Sequence, residues 1–78
     1  MTGPMQEAFG LAVRQFRHAS GLSQAQLAEA SALHETYISQ VEHGRRNLTL
    51  RAMCQLSGAL SVPLSQLVAR AEDLTRTT

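Results

Sequence analysis

The sequence has a single cysteine, Cys54, no tryptophan, one tyrosine, two phenylalanines and no lysine in 78 residues. One cysteine excludes an internal disulfide. His18, His34 and His43 lie on separate stretches without metal-ligand spacing, so neither a metal nor another cofactor is expected. No apolar run has the length of a membrane helix, and the start of the chain lacks a signal-peptide pattern. The expectation is a cytoplasmic chain with no membrane partner. Nucleophile–base spacing, a glycine-rich phosphate loop and a carboxylate pair in a likely cleft are all missing. An enzyme with a small-molecule substrate is therefore the weakest class of function. A chain of this size buries only roughly 60–65% of the surface its unfolded form exposes. Without disulfide or metal, oligomerisation is the remaining source of extra stability.

What is present is arginine and helical periodicity. The net charge is only +1, and all seven basic residues are arginine. This bias has two readings, the codon usage of a GC-rich genome or a preference for phosphate and guanine contacts, which arginine suits better than lysine. Arg45-Arg46, just after His43-Gly44, is the one adjacent basic pair. Strand signals are nearly absent.

Five helices are predicted in a single domain with its core over about residues 5–71 and a polar tail at 72–78. Helix 1 runs from about Pro4 to Ala19. Proline suits its first turn, Phe9, Ala12, Val13 and Phe16 form its buried stripe, and Gly21 caps its end. Ser23 and Gln26 form a capping box for helix 2, which reaches about Ser31, with Leu22 and Leu27 as its staple. Helix 3 spans about His34 to His43, turning Ile38 and Val41 inward, with Leu33 stapled to Ile38, and Gly44 ends it. Thr49 caps helix 4, with Leu48 and Met53 as its staple pair and Leu50, Met53, Cys54, Ser57 and Leu60 as its inward face. There Cys54 reads as a small buried hydrophobe. Helix 5 runs from Pro63 or Leu64 to about Ala71.

Helices 2 and 3 carry the function. Two short helices that cross steeply across about three residues need a very small side chain at the contact, which Ala28 supplies, and Ile38 fills the angle. This is the spacing of a helix-turn-helix, whose second helix can enter a DNA major groove. The outward residues of helix 3, His34, Glu35, Thr36, Tyr37, Ser39 and Gln40, are donors and acceptors of the kind that read base edges. Arg45, Arg46 and Asn47 follow, suited to phosphates. Tyr37 has a second reading as a core residue, and Glu35 as a partner of the helix dipole.

The stretch Gly21-Leu22-Ser23-Gln24, Leu27-Ala28, Tyr37-Ile38-Ser39, Glu42, Gly44-Arg45-Arg46-Asn47, continued by Leu56, Ala59-Leu60, Val62, Leu64 and Leu67, resembles the Cro/phage-repressor (XRE-type) helix-turn-helix family. Within it, His34-Glu35-Thr36-Tyr37-Ile38-Ser39 and the chain's size are most similar to restriction–modification controller proteins. The resemblance implies an all-α, five-helix, lambda-repressor-like DNA-binding domain. It implies base readout by Glu35, Thr36 and Gln40, with Glu35 accepting from a cytosine amino group and Gln40 pairing with adenine. Backbone contacts would come from Gln24, His34, Tyr37, Ser39, Arg45, Arg46 and Asn47, with Gln24 also bracing helix 3. Arg17 would pair with Glu42 as a structural tie.

The family often has glycine where this chain has Ala32: either the backbone is left-handed there and alanine costs about 1 kcal/mol, or the turn is slightly rearranged and the angle of helix 3 shifts. One recognition helix covers few base pairs, so a homodimer on a palindrome is expected, through Leu64, Leu67, Val68 and Ala71; the Leu67, Val68 and Ala71 edge has a second reading, in which it only packs on the local core. The partners implied are double-stranded DNA, a second copy and, at an activated promoter, RNA polymerase. A phage-type repressor, an antitoxin and a protein-interaction module of the same fold are the alternatives.

Overall fold

The apolar spacing of the first helix organises the molecule. In the computed structural model, which describes residues 4–76, α1 spans Pro4–Ala19 and buries Phe9, Ala12 and Val13, with Phe16 packed at their edge. Four further helices follow, α2 (Gln24–Ser31), α3 (Glu35–Glu42), α4 (Leu50–Ala59) and α5 (Leu64–Arg76), with no strand among the described residues. Leu27, Ile38, Val41, Leu56 and Leu67 complete the core, so every helix contributes at least one fully buried side chain. No single helix among the described residues is long and apolar enough to cross a membrane.

Local chemistry sets the helix starts. Ser23 Oγ accepts from the Gln26 backbone N–H at 3.0 Å, and Gln26 Oε1 accepts from the Ser23 N–H at 2.8 Å, which closes the expected capping box. Thr49 Oγ1 caps α4 through the Ala52 N–H at 3.0 Å.

The ends of the first four helices repeat one device. A left-handed residue follows each, and the N–H beyond it reaches back to a carbonyl in the last turn: Leu22 to Arg17, Leu33 to Ala28, Arg45 to Gln40 and Val62 to Ser57, at 2.8–3.1 Å. The left-handed residues are Gly21, Ala32, Gly44 and Ser61. Ala32, at φ 61°, occupies the conformation for which glycine is the usual choice.

Two expectations need correction. The inward face of α4 is Ala52, Leu56, Ser57 and Leu60, with Met53 half-buried, whereas Leu50 is 65% exposed and Cys54 is also exposed. Both stripes have helical period. Leu56 is the larger apolar group and takes the centre, which rotates Cys54 outward. The last helix does not end at Ala71 but continues to Arg76. Leu74 stands three residues past Ala71, packs against the core and carries the helix into what reads as a polar tail. Arg76 and Asp73 pair at 3.3 Å on this last turn. Residues 77 and 78 of the predicted tail lie outside the described residues.

Candidate nucleic-acid interface

The recognition helix is held by its inward face. Ile38 and Val41 are fully buried. Beside them Glu42 is also buried, and Arg17 from α1 meets it with two parallel bonds, Nε to Oε2 at 2.6 Å and Nη2 to Oε1 at 3.0 Å. Side-chain exposures of 10% and 2% place the pair inside the protein. Gln24, the first residue of α2, donates to Glu42 Oε1 at 3.1 Å, and Arg17 Nη1 donates to the Leu22 carbonyl at 2.9 Å. One carboxylate thus joins α1, α2 and α3. Burial pushes the Glu42 carboxyl up, but the bonds from Arg17 and Gln24, with the charges of Arg17 and Arg14, outweigh it and hold the group below its ordinary value. The bond to Glu42 raises the Arg17 guanidinium in turn, against the effect of burial.

Two glutamines brace the ends of the same unit. Gln6 on α1 donates to the Gly44 carbonyl at 3.2 Å, just past α3, and Gln55 on α4 donates to the Ser31 carbonyl at 3.1 Å, just before the turn. Nothing in the local sequence signals either, because both join residues far apart in the chain. α1 also approaches α3 closely. A Cβ at Gly10 would stand 2.0 Å from the Val41 carbonyl oxygen, so only glycine fits.

The outward face is open. At about 3.6 residues per turn, Thr36, Ser39, Gln40 and His43 lie opposite Ile38 and Val41. Glu35, Thr36 and His43 are exposed, and Ser39 and Gln40 are half-buried. His43 joins this face without a signal in the sequence that marks it. Its Nδ1–H donates to the Ser39 carbonyl at 2.7 Å, which leaves Nε2 turned away from the helix backbone. His34 stands at the N-cap without a side-chain cap bond and is exposed, as are Arg45, Arg46 and Asn47. Tyr37 falls between its two readings: it is half-buried against the core, while its ring lies 5.2 Å from the Arg46 guanidinium. Gln24 is half-buried and bonded to Glu42, which matches the bracing role.

The expected dimer edge is only partly available. Leu67 and Ala71 are fully buried within one chain, where α5 makes its most extensive contact with α1. Neither has surface left for a partner. Leu64 and Val68 remain partly exposed, and Val68 shares a groove of about 320 Å³ with Met5, Phe9, Leu48 and Met53. The apolar spacing of α5 marks one stripe without saying which of its residues the domain's own core consumes.

Two short helices joined through a left-handed turn, the second with a locked inner face and a polar outer face, define a helix-turn-helix DNA-binding domain. The chain belongs to the helix-turn-helix family, whose domain model matches residues 8–71. It is similar to the control protein C.SmaI of Serratia marcescens, 47% identical over 58 residues that span 74% of this chain and 69% of that protein. Among solved structures it is similar to the restriction–modification controller protein C.AhdI from Aeromonas hydrophila, with a TM-score of 0.78 and 39% identity over 80% of this chain and 94% of that one. It is also similar to the controller protein C.Esp1396I, solved as a tetramer in complex with its natural 35 base-pair operator. That match has a TM-score of 0.85 and 25% identity over 92% of this chain and 95% of the other.

Proposed function

We propose that this protein is a restriction–modification controller, a cytoplasmic transcription regulator that binds a palindromic operator upstream of its own gene as a homodimer and activates or represses according to occupancy. The observation that carries the reading is the division of α3. Ile38, Val41 and Glu42 are buried, while Glu35 and Thr36 are exposed beside the exposed Arg45, Arg46 and Asn47. In the major groove, Glu35 accepts from a cytosine amino group and Thr36 faces a neighbouring base edge. His34, Ser39, Arg45 and Asn47 set the register on the backbone. The protein acts by occupancy and not by catalysis. Homodimerisation uses the surface left at Leu64 and Val68. The second recognition helix then lies about one DNA turn from the first. By analogy with the tetramer on its 35 base-pair operator, two dimers fill a longer site in sequence, and the second occupancy changes the access of RNA polymerase.

A gel-shift titration against the DNA immediately upstream of this protein's own gene, with competitor DNA and two salt concentrations, tests the proposal. Salt-sensitive binding in one or two discrete steps is expected, with two steps for sequential dimers. Weak smearing of equal strength on all sequences would overturn it in favour of a protein-binding role for the same fold.

A further inference from the structure

The family resemblance implies an adenine contact for Gln40 and a backbone contact for Arg46. The side chains do not stand apart. Arg46 Nε donates to Gln40 Oε1 at 2.6 Å, and the same guanidinium lies over the Tyr37 ring at 5.2 Å. Tyr37 and Gln40 are three residues apart on α3 and therefore neighbours on its surface. Tyr37 is itself half-buried against the core, so the platform beneath the guanidinium is tied to the scaffold. Arg46 also walls a groove of about 380 Å³ with Tyr37, Thr36, His34, Leu33 and Ala32, directly over the turn that introduces the recognition helix.

We propose that Gln40 is a positioning residue for Arg46. With Tyr37 it presents the guanidinium, already oriented, to one DNA backbone phosphate. This deepens the DNA-binding reading and rests on it. A free arginine loses side-chain freedom when it docks, and one already held in place loses less. Gln40 takes the Nε–H, and the ring of Tyr37 lies beneath the guanidinium. The two Nη groups make no hydrogen bond among the described residues. They form the planar fork that matches two phosphate oxygens. An adenine contact by Gln40 would use both ends of its amide, and here the oxygen already accepts from Arg46. Loss of Gln40 therefore acts on DNA affinity through Arg46 and leaves base preference alone.

The test is a double-mutant cycle. Gln40→Met keeps the length of the side chain and removes the acceptor, and Arg46→Ala removes the fork. Binding is measured on the fragment upstream of the protein's own gene, on single-base variants of it and on a scrambled duplex of the same length. Gln40→Met is expected to weaken binding roughly five- to tenfold on every variant, and Arg46→Ala roughly tenfold or more with a salt slope smaller by about 1. The double variant is expected to bind no more weakly than Arg46→Ala. In an Arg46→Lys background, which keeps the charge and loses the planar fork, Gln40→Met should add nothing. Melting temperature should not move, because the bond lies on the surface. Multiplicative losses, or a change of preferred base at one position in Gln40→Met, would overturn the proposal while leaving the DNA reading intact. A wild-type protein that does not separate the upstream fragment from the scrambled one would overturn both.

Discussion

The two faces of α3 are built on opposite principles, although they are only eight residues of one helix. On the inner face each polar group is satisfied: Glu42 accepts from Arg17 twice and from Gln24 once. On the outer face Glu35 and Thr36 are exposed. The inner face fixes a position and an angle, and the outer face supplies chemistry that needs a partner. A buried ion pair is weak evidence for net stability, since desolvation offsets much of the attraction. Here it gives geometry. The bidentate Arg17–Glu42 pair ties α3 to α1, and the Gln24 bond ties it to α2. Changes on the two faces should therefore separate cleanly, with the inner ones moving stability and the outer ones moving DNA recognition.

The largest expected effect is on the inner face. Arg17→Ala leaves the Glu42 carboxylate buried with one hydrogen bond, from Gln24, and the more distant charge of Arg14, and should cost about 3–5 kcal/mol, read as a fall in melting temperature. An unchanged melting temperature would show that the tie is not structural. The pH dependence follows from the depressed Glu42 carboxyl. A carboxyl with a folded pKa below its unfolded value contributes stability above the unfolded value and loses it as pH falls through the folded one. The stability gap between wild type and Glu42→Gln should be full at neutral pH and shrink below about pH 4, the ordinary carboxylate range. Thermal melts of both proteins across that range check the sign. Gly10→Ala comes next. Its Cβ meets a backbone oxygen of Val41 at 2.0 Å, so α1 and α3 must move apart, at roughly 3 kcal/mol, the upper part of the range for overpacking.

Outer-face changes should leave those melts alone. Thr36→Ala and Glu35→Ala are expected to cost about 1–3 kcal/mol of discrimination at a contacted base pair, measured as the ratio of affinities for the operator and a single-base variant. If either lowers affinity equally on all sequences, that residue holds the backbone and does not read a base.

The contrast between the faces also explains what was legible in the sequence. Helix starts were legible because Ser23, Gln26 and Thr49 act on backbone within three residues of themselves. The Arg17–Glu42 pair lies 25 residues apart. It came from the family pattern and not from any local rule. Local reasoning failed where two apolar stripes competed, as on α4, and only packing against the other helices chose Leu56 over Cys54. On α5 it left two readings open for Leu67 and Ala71, which go to the domain's own core, and it ended the helix too early, where Leu74 extends it beyond the point at which composition turns polar. The Gln40–Arg46 bond was invisible for a third reason. It bridges the left-handed Gly44 at the end of α3, and no periodicity survives across such a break.

The smallest expected effects lie at the two ends of α3, and they should have opposite signs. Ala32 is left-handed at φ 61°, its side chain is exposed, and its conformation suits glycine better. Ala32→Gly relieves the αL strain at the cost of a more flexible unfolded chain. The net should be a gain of up to about 1 kcal/mol. Gly44 is left-handed at φ 69°, and a Cβ there would stand 3.0 Å from the Glu7 Cα on α1, so Gly44→Ala adds strain and crowding together and should destabilise. Both changes leave every outer-face side chain in place. Ala32→Gly should raise the melting temperature with operator affinity unchanged, because the backbone angles that aim α3 are the same with either residue. A loss of affinity accompanying that gain would mean that the alanine stiffens the turn and holds the recognition helix at its working angle. The boundary between the two faces would then run through the turn itself.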